Sequence, residues 1–538
     1  MASLTEYDVQ PILHGDGRDI KNKLSEIAYQ YALKNAYTYA DAMGLKSNLE
    51  KELAAKFIGA RTGKVFATKI WHYATNTSSA GEALLDSIGL TCTPATDTVQ
   101  GQDDYADASD IFQWQRCNYA RDDDGFARPT ALEGTPAFKR TGSVDIGNVY
   151  PTFWYKVENR GTYDIYYMSD SSHPELGLVP WYEACKADGT VLPFYVHSAF
   201  YSIRNEEGTS SSSNKILRSQ YGVPAYNNSY NSMVTDYQKK GTGYWGAGSE
   251  RTLFGFLMLV IKYKTKNSQK YFAGCTSYTA QIKCAVAETD VKRVLLSDQS
   301  QFYVGACVSV GILNNGSSDR TYSSMHSIAD RVKVASIEQV TIDGTVYTAL
   351  NLDLASTITT TTDTYVSTMP CFSGETDAVI GHFDGSYLSN TDGRHVFRIG
   401  GTEYSNGQTI IDSNVVMQRD DASGMWQQWV APRGTAHVKD AHTNYVLAGG
   451  IPIAASDYWS GDVSVNHETG SFNPSAVGGG DSIGTGDRVW GSGSGSDGAL
   501  REKYTVGSLL GPGSHAGLCA VNCGSGLSIA NWRFGCCD

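Results

Sequence analysis

The chain has 538 residues, 41% of them hydrophobic and 18% charged, which is a globular composition too long for one ordinary core and implies about three or four domains. Its 33 Tyr and 10 Trp beside 56 Gly and 14 Pro favour short strands and many turns over helical bundles. A formal net charge of -13 and a pI near 5.3 leave no surplus of Lys and Arg for a nucleic-acid-binding surface and suit a soluble component of a particle.

The first residues, MASLTEYDVQPILHGDGRD, lack a basic segment followed by an apolar run, so no signal peptide is expected and synthesis in a cytoplasm is. Residues 17 to 58 carry the strongest helical pattern. Ile20, Leu24, Ile27, Tyr31 and Ala32 recur at three- and four-residue intervals, Gly44 breaks the run, and Ser47 with Glu50 makes a capping box for a second helix ending near Gly59. Residues 1 to 60 are therefore read as N-terminal helices, either a docking or oligomerisation segment or helices packed on their own domain.

Residues 61 to 330 read as a β-rich body. Tyr163, Ile165 and Tyr167 alternate with their neighbours, and GNVYPTFWYKVE is aromatic and β-prone. The run Leu253 to Ile261 (LFGFLMLVI) is far shorter than the roughly 20 residues needed to cross a bilayer, so no membrane insertion is expected and the run reads as a buried strand. The loops QGQDDYADASD and RDDDGF hold carboxylates that allow calcium but lack the spacing of a known calcium loop; they read as solvated acidic loops, and no cofactor is expected.

Residues 331 to 371 read as a small β-hairpin domain. Val340 and Ile342 precede Asp343-Gly344, a pair suited to a type I′ turn, and Val346, Ala349 and Leu350 follow. Residues 372 to 538 are dense in Gly, Asp, Asn and Trp, which implies long loops on few regular elements. The overall expectation is a β-rich α+β, multidomain protein.

Of the eleven cysteines, Cys92, Cys117, Cys185, Cys275, Cys284, Cys307 and Cys371 are scattered and read as buried free thiols. Cys519, Cys523, Cys536 and Cys537 crowd the tail, but their spacing matches no usual zinc-ligand pattern. His437 and His442 are five apart, unlike the helical pair of a metalloprotease, so no catalytic residue is assigned and no enzyme is expected.

The tail AGLCAVNCGSGLSIANWRFGCCD combines what a tightly turning core needs with residues that follow no period or turn chemistry. Ala516, Gly517, Leu518, Val521, Asn522, Gly526, Leu527, Ser528, Ala530, Asn531, Trp532 and Gly535 form a frame that resembles the C-terminal variable region of retroelement-diversified proteins, the phage major tropism determinant family. In that family template adenines are rewritten at random. Gly524, Ser525, Ile529 and Arg533 stand where the family template has Asn, and Phe534 where it has Ile. All five are reachable by changing adenines alone.

The resemblance implies a C-type-lectin-like (formylglycine-generating-enzyme-like) domain over 372 to 538 with a variable region at about 505 to 538. The interchangeable ligand-binding positions would be Ser508, Leu509, Leu510, Pro512, His515, Gly524, Ser525, Ile529, Arg533 and Phe534, with Trp490 and Tyr504 as flanking contacts and Trp532, Asn531 and Gly535 as scaffold. It further implies a homotrimer on a virion tail or tail fibre, held by other virion proteins, that binds a host cell-surface receptor, protein or glycan. The alternatives are a structural virion decoration protein that binds no ligand and a formylglycine-generating-type oxidase using tail cysteines.

Overall fold

The computed structural model describes residues 44–204, 216–276, 278–297, 301–505 and 513–538. The helical pattern before Gly44 lies outside them. The second expected helix is present as Asn48–Gly59, and its Ser47/Glu50 capping box is formed in both directions.

Two antiparallel sheets make up the amino-terminal body. A five-stranded sheet runs in the order Val179–Pro180, Trp154–Asn159, Tyr163–Ser169, Val65–Trp71, Glu82–Leu85, and a four-stranded one in the order Phe194–Ser198, Asp145–Pro151, Gln115–Arg121, Ala127–Leu132. The alternation read in Tyr163–Ser169 is a strand.

The apolar run at 253–261 is not a strand. It is the middle of a helix, Ser249–Tyr263, in which every residue but Glu250 is buried. Leu253, Leu257, Met258 and Leu259, none branched at Cβ, favour a helix, and within the run only Val260 and Ile261 carry the β-branching that would favour a strand. Its flanking polar residues are buried too, which hid its length in the sequence. Arg251 donates to the Ser198 carbonyl and hydroxyl, each at 2.9 Å, and Lys262 pairs with Asp103 at 2.8 Å and Asp384 at 2.5 Å. Around this helix one core gathers Phe66, Tyr150 and Trp181 from the body with Phe397, Phe472, Leu518 and Cys519 from the carboxyl-terminal part. The two regions share a hydrophobic centre.

The hairpin at Asp343-Gly344 is present, with both residues at positive φ (48° and 78°) and Ile342 opposite Thr345. Its strands do not form a separate small domain. They belong to a six-stranded antiparallel sheet, Gln281–Lys283, Thr364–Thr368, Cys307–Ile312, Ala329–Ile342, Thr345–Leu352, Arg293–Leu296, so the boundary expected at 331 falls inside a strand. The hydrophobic pattern of the short strands before 331 was too brief to reveal that pairing.

The carboxyl-terminal part is built on an eight-stranded sheet whose main path is Val446–Pro452, Met425–Val430, Thr409–Asp420, Leu500–Thr505, Val521–Asn522, Arg488–Trp490, Tyr458–Trp459. Phe534–Gly535 joins Thr409–Ile410 in parallel register. The tail therefore contributes two short strands to the sheet, Val521–Asn522 and Phe534–Gly535.

Candidate ligand-binding surface on the carboxyl-terminal turns

The tail is fixed from beneath. Ala516, Leu518, Ala520, Val521, Leu527, Trp532, Cys536 and Cys537 are all buried. The Leu518 amide donates to Ser268 Oγ at 3.1 Å and the Cys519 amide to Asp487 Oδ2 at 2.9 Å. Gly517 is pressed on the same groups: a Cβ there would stand 2.3 Å from Asp487 Oδ1. Gly535 is pressed likewise on Gln408, whose Nε2 donates to the Ala225 carbonyl at 2.9 Å. At either position any larger residue would force these side chains to shift. Gly526, by contrast, has only side-chain atoms at 3.9 Å around it.

The interchangeable positions fall into separate neighbourhoods. Gly524, Ser525 and Ile529 surround the turn at Gly526, near Arg501; Ile529 is 53% exposed, and the Ser525 carbonyl accepts from the Glu502 amide. Arg533 is half-buried beside Trp532, in an open cleft of about 390 Å³ lined also by Thr279, Gln281, Ser317, Ser318, Asp319 and Arg320. His515 makes its contacts elsewhere, edge-on to Trp459 and 4.0 Å from Asp481. Phe534 is half-buried, its ring tilted against that of Tyr504. Ser508, Leu509, Leu510 and Pro512 lie outside the described residues.

One of the expected roles changes. Tyr504, read as a flanking contact, is fully buried in the core under the tail and directs its hydroxyl to Glu502. Its strand, Leu500–Thr505, lies between Thr409–Asp420 and Val521–Asn522, which turns this aromatic inward. Trp490 is half-buried and packs against the same core. Trp532 is buried, as a scaffold residue requires, and Asn531 accepts the Arg533 amide at 3.0 Å and so shapes the turn.

The acidic loops are less solvated than their composition implies. Asp103 caps the short helix Asp104–Ala108 and pairs with Lys262; Asp122 pairs with Arg128 at 3.0 Å and accepts the amide of Phe126. Cys92, Asp103 and Asp384 are close enough to share a cation, and the Lys262 ammonium already lies against both carboxylates. The eleven cysteines are free. Those of the tail separate into four hydrophobic clusters, and burial pushes the Cys523 and Cys537 thiols up to about 12. Gly480-Asp481-Ser482-Ile483-Gly484 has the glycine–serine spacing of a nucleophile elbow, but it forms a turn with Gly480 bridged to Ile483 instead of a strand leading into a helix.

Compared against protein-family models and against curated proteins, the chain matches none. No helix among the described residues is long and apolar enough to cross a membrane.

Arg320, Asp319 and the serines before them complete the cleft at Arg533 without any signal in the sequence. They stand more than two hundred positions earlier, on the loop after Cys307–Ile312, and carry no local motif.

Proposed function

We propose that this chain is a phage receptor-binding (tropism) protein whose carboxyl-terminal, C-type-lectin-like part presents a retroelement-diversified surface for host-cell attachment, acting as a homotrimer on the virion tail. The observation that carries this reading is a division of labour in the tail. Frame residues Leu518, Leu527, Trp532 and Gly535 are buried, with Ser528 and Ala530 exposed on the turn, while Ile529 is at the surface and Arg533 is half-buried in a cleft.

A surface meant to vary needs that division, because core substitutions cost about 2–5 kcal/mol and most variants would otherwise unfold. An exposed aliphatic at one turn and a guanidinium in a separate cleft are both residue types from which binding anchors are made. Copies on one particle would multiply modest single-site affinity through avidity.

Sequencing this gene across a phage population tests the reading. Changes should concentrate at Ser508, Leu509, Leu510, Pro512, His515, Gly524, Ser525, Ile529, Arg533 and Phe534 and spare Gly517, Trp532 and Gly535. A tail as uniform as the rest of the gene would refute it.

A further inference from the structure

The cleft beside Trp532 holds two guanidinium groups, and the one carboxylate in its lining, Asp319, forms no ion pair with either among the described residues. Arg320 is buried, and its donors go to uncharged acceptors: Nη1 to Thr279 Oγ1 at 3.1 Å and Nη2 to the Ala280 carbonyl at 2.8 Å. The Arg533 side chain makes no hydrogen bond or ion pair among the described residues, and its Nε is buried without a partner. Both guanidiniums lie against the same indole, their central carbons 4.6 and 5.0 Å from the Trp532 ring. Asp319 is the acid in the cleft; it is exposed, accepts the Thr321 amide at 2.8 Å and forms no ion pair with either arginine, so its charge only partly offsets the effect of burial on both.

Holding two like charges together in a half-buried cleft is unfavourable unless an anion joins them. Burial first, and then the charge of Arg533, push Arg320 down to about 10. The remaining lining, Ser317, Ser318, Gln281 and Asn531, is polar and uncharged, suited to hydroxyl groups. At about 390 Å³ the opening is at the small end of the range for ligand pockets, enough for one sugar unit.

We infer that this cleft binds an oxyanion group carried by an acidic glycan, with Arg320 and Arg533 as its paired donors. The glycan source rests on the receptor-binding reading above, while the anion site stands on the two arginines. Charge-assisted bonds from guanidinium to a carboxylate or sulfate are the strong ones, and desolvation at Trp532 strengthens them. Arg320 comes from the six-stranded sheet region, outside the proposed variable stretch. Every variant of the tail would keep that cation, and the residue at 533 would set how tightly an anion is held.

The test is calorimetric titration of the purified full chain with glucuronate, sulfate and inorganic phosphate, with glucose as the neutral probe. Glucuronate or sulfate should bind saturably and compete with each other, glucose should not bind, and Arg533→Gln should weaken binding about tenfold or more while its thermal unfolding stays near that of the parent. Arg320 is buried, so Arg320→Lys, which keeps the charge, serves as the second variant and should weaken binding by a smaller factor. Equal binding by parent and Arg533→Gln, equal binding of glucose, or no saturable binding of any anion would overturn the site. A clear preference for inorganic phosphate would overturn the glycan source. None of these results bears on whether the tail varies in a population, so the two readings fail separately.

Discussion

The ring of Phe534 lies 4.4 Å from that of Tyr504, centroid to centroid, and is tilted 35° to it. Phe534 is thus half inserted between the sheet and solvent, unlike Ile529, which is 53% exposed, and unlike Trp532 at 4%. Three substitutions should separate these environments in thermal unfolding. Ile529→Ala should change stability by less than about 0.5 kcal/mol, Phe534→Ala should cost about 1–2 kcal/mol, and Trp532→Ala about 3–5 kcal/mol. If Phe534→Ala proved as costly as Trp532→Ala, position 534 would belong to the frame and not to the interchangeable set.

Gly517 and Gly535 set a second expectation. A methyl group at Gly517 would meet Asp487 and Ser268, and one at Gly535 would meet Gln408 at 2.4 Å. At Gly526 the surroundings are open. Gly517→Ala and Gly535→Ala should each lower stability by about 1–3 kcal/mol through overpacking, whereas Gly526→Ala should stay within about 1 kcal/mol. Chemical denaturation midpoints of the three variants check the ranking.

What the sequence made legible was local. The capping box at Ser47 and Glu50, the Asp343-Gly344 turn and the alternation around Tyr163 each encode their structure within a few residues, and each is present. Ser249–Tyr263 was misread because nine consecutive apolar residues fit a buried strand as well as a buried helix, and the polar residues that extend it are buried by partners far away in the chain. The glycine and tryptophan frame of the tail could be read because close approach and large buried area restrict residue type. Arg320, Asp319 and the serines of the cleft could not, since only the packing of the six-stranded sheet region beside the tail brings them to Arg533.

Glu502 gives the protein a pH dependence whose sign follows from burial. Its carboxyl is fully buried, accepts the Tyr230 amide at 2.9 Å and the Tyr504 hydroxyl, and burial pushes it up to about 9. In the unfolded chain the same group ionises near 4.3, at about the ordinary glutamate value. Between these values the folded state keeps a proton that the unfolded state releases, so stability is highest below about pH 4.3 on this account and declines as pH rises toward 9. Burial pushes Asp487 up to about 7 and Glu375 up to about 8, which adds to the decline. Glu502→Gln should flatten the loss of unfolding temperature between acid and alkaline buffers and be more stable than the parent by at least about 1 kcal/mol at pH 8. Parallel curves for the two proteins across that range would show that Glu502 is ionised in the folded state.

The side chain of Asp538 ties the last turn of the tail to the body. It is 0% exposed, pairs with Lys240 and lies 3.5 Å from Arg121, while Lys240, itself 2% exposed, also contacts Asp145 at 3.1 Å. Against the effect of burial, the charges of Lys240 and Arg121 hold Asp538 below the ordinary carboxylate range, and burial raises Asp145 to about 7 despite Lys240. One ammonium therefore serves two buried acids, and the two kinds of deletion are unequal. Asp538→Asn leaves Lys240 paired with Asp145 and should cost about 1–3 kcal/mol. Lys240→Ala leaves Asp145 and Asp538 facing each other with Arg121 and Arg218 alone, and should cost about 3–5 kcal/mol, since an uncompensated buried charge is what makes such deletions severe. A double-mutant cycle by urea denaturation measures the coupling: a combined loss well below the sum of the single losses is expected, and strict additivity would mean that the ammonium and the Asp538 carboxylate do not hold the tail together.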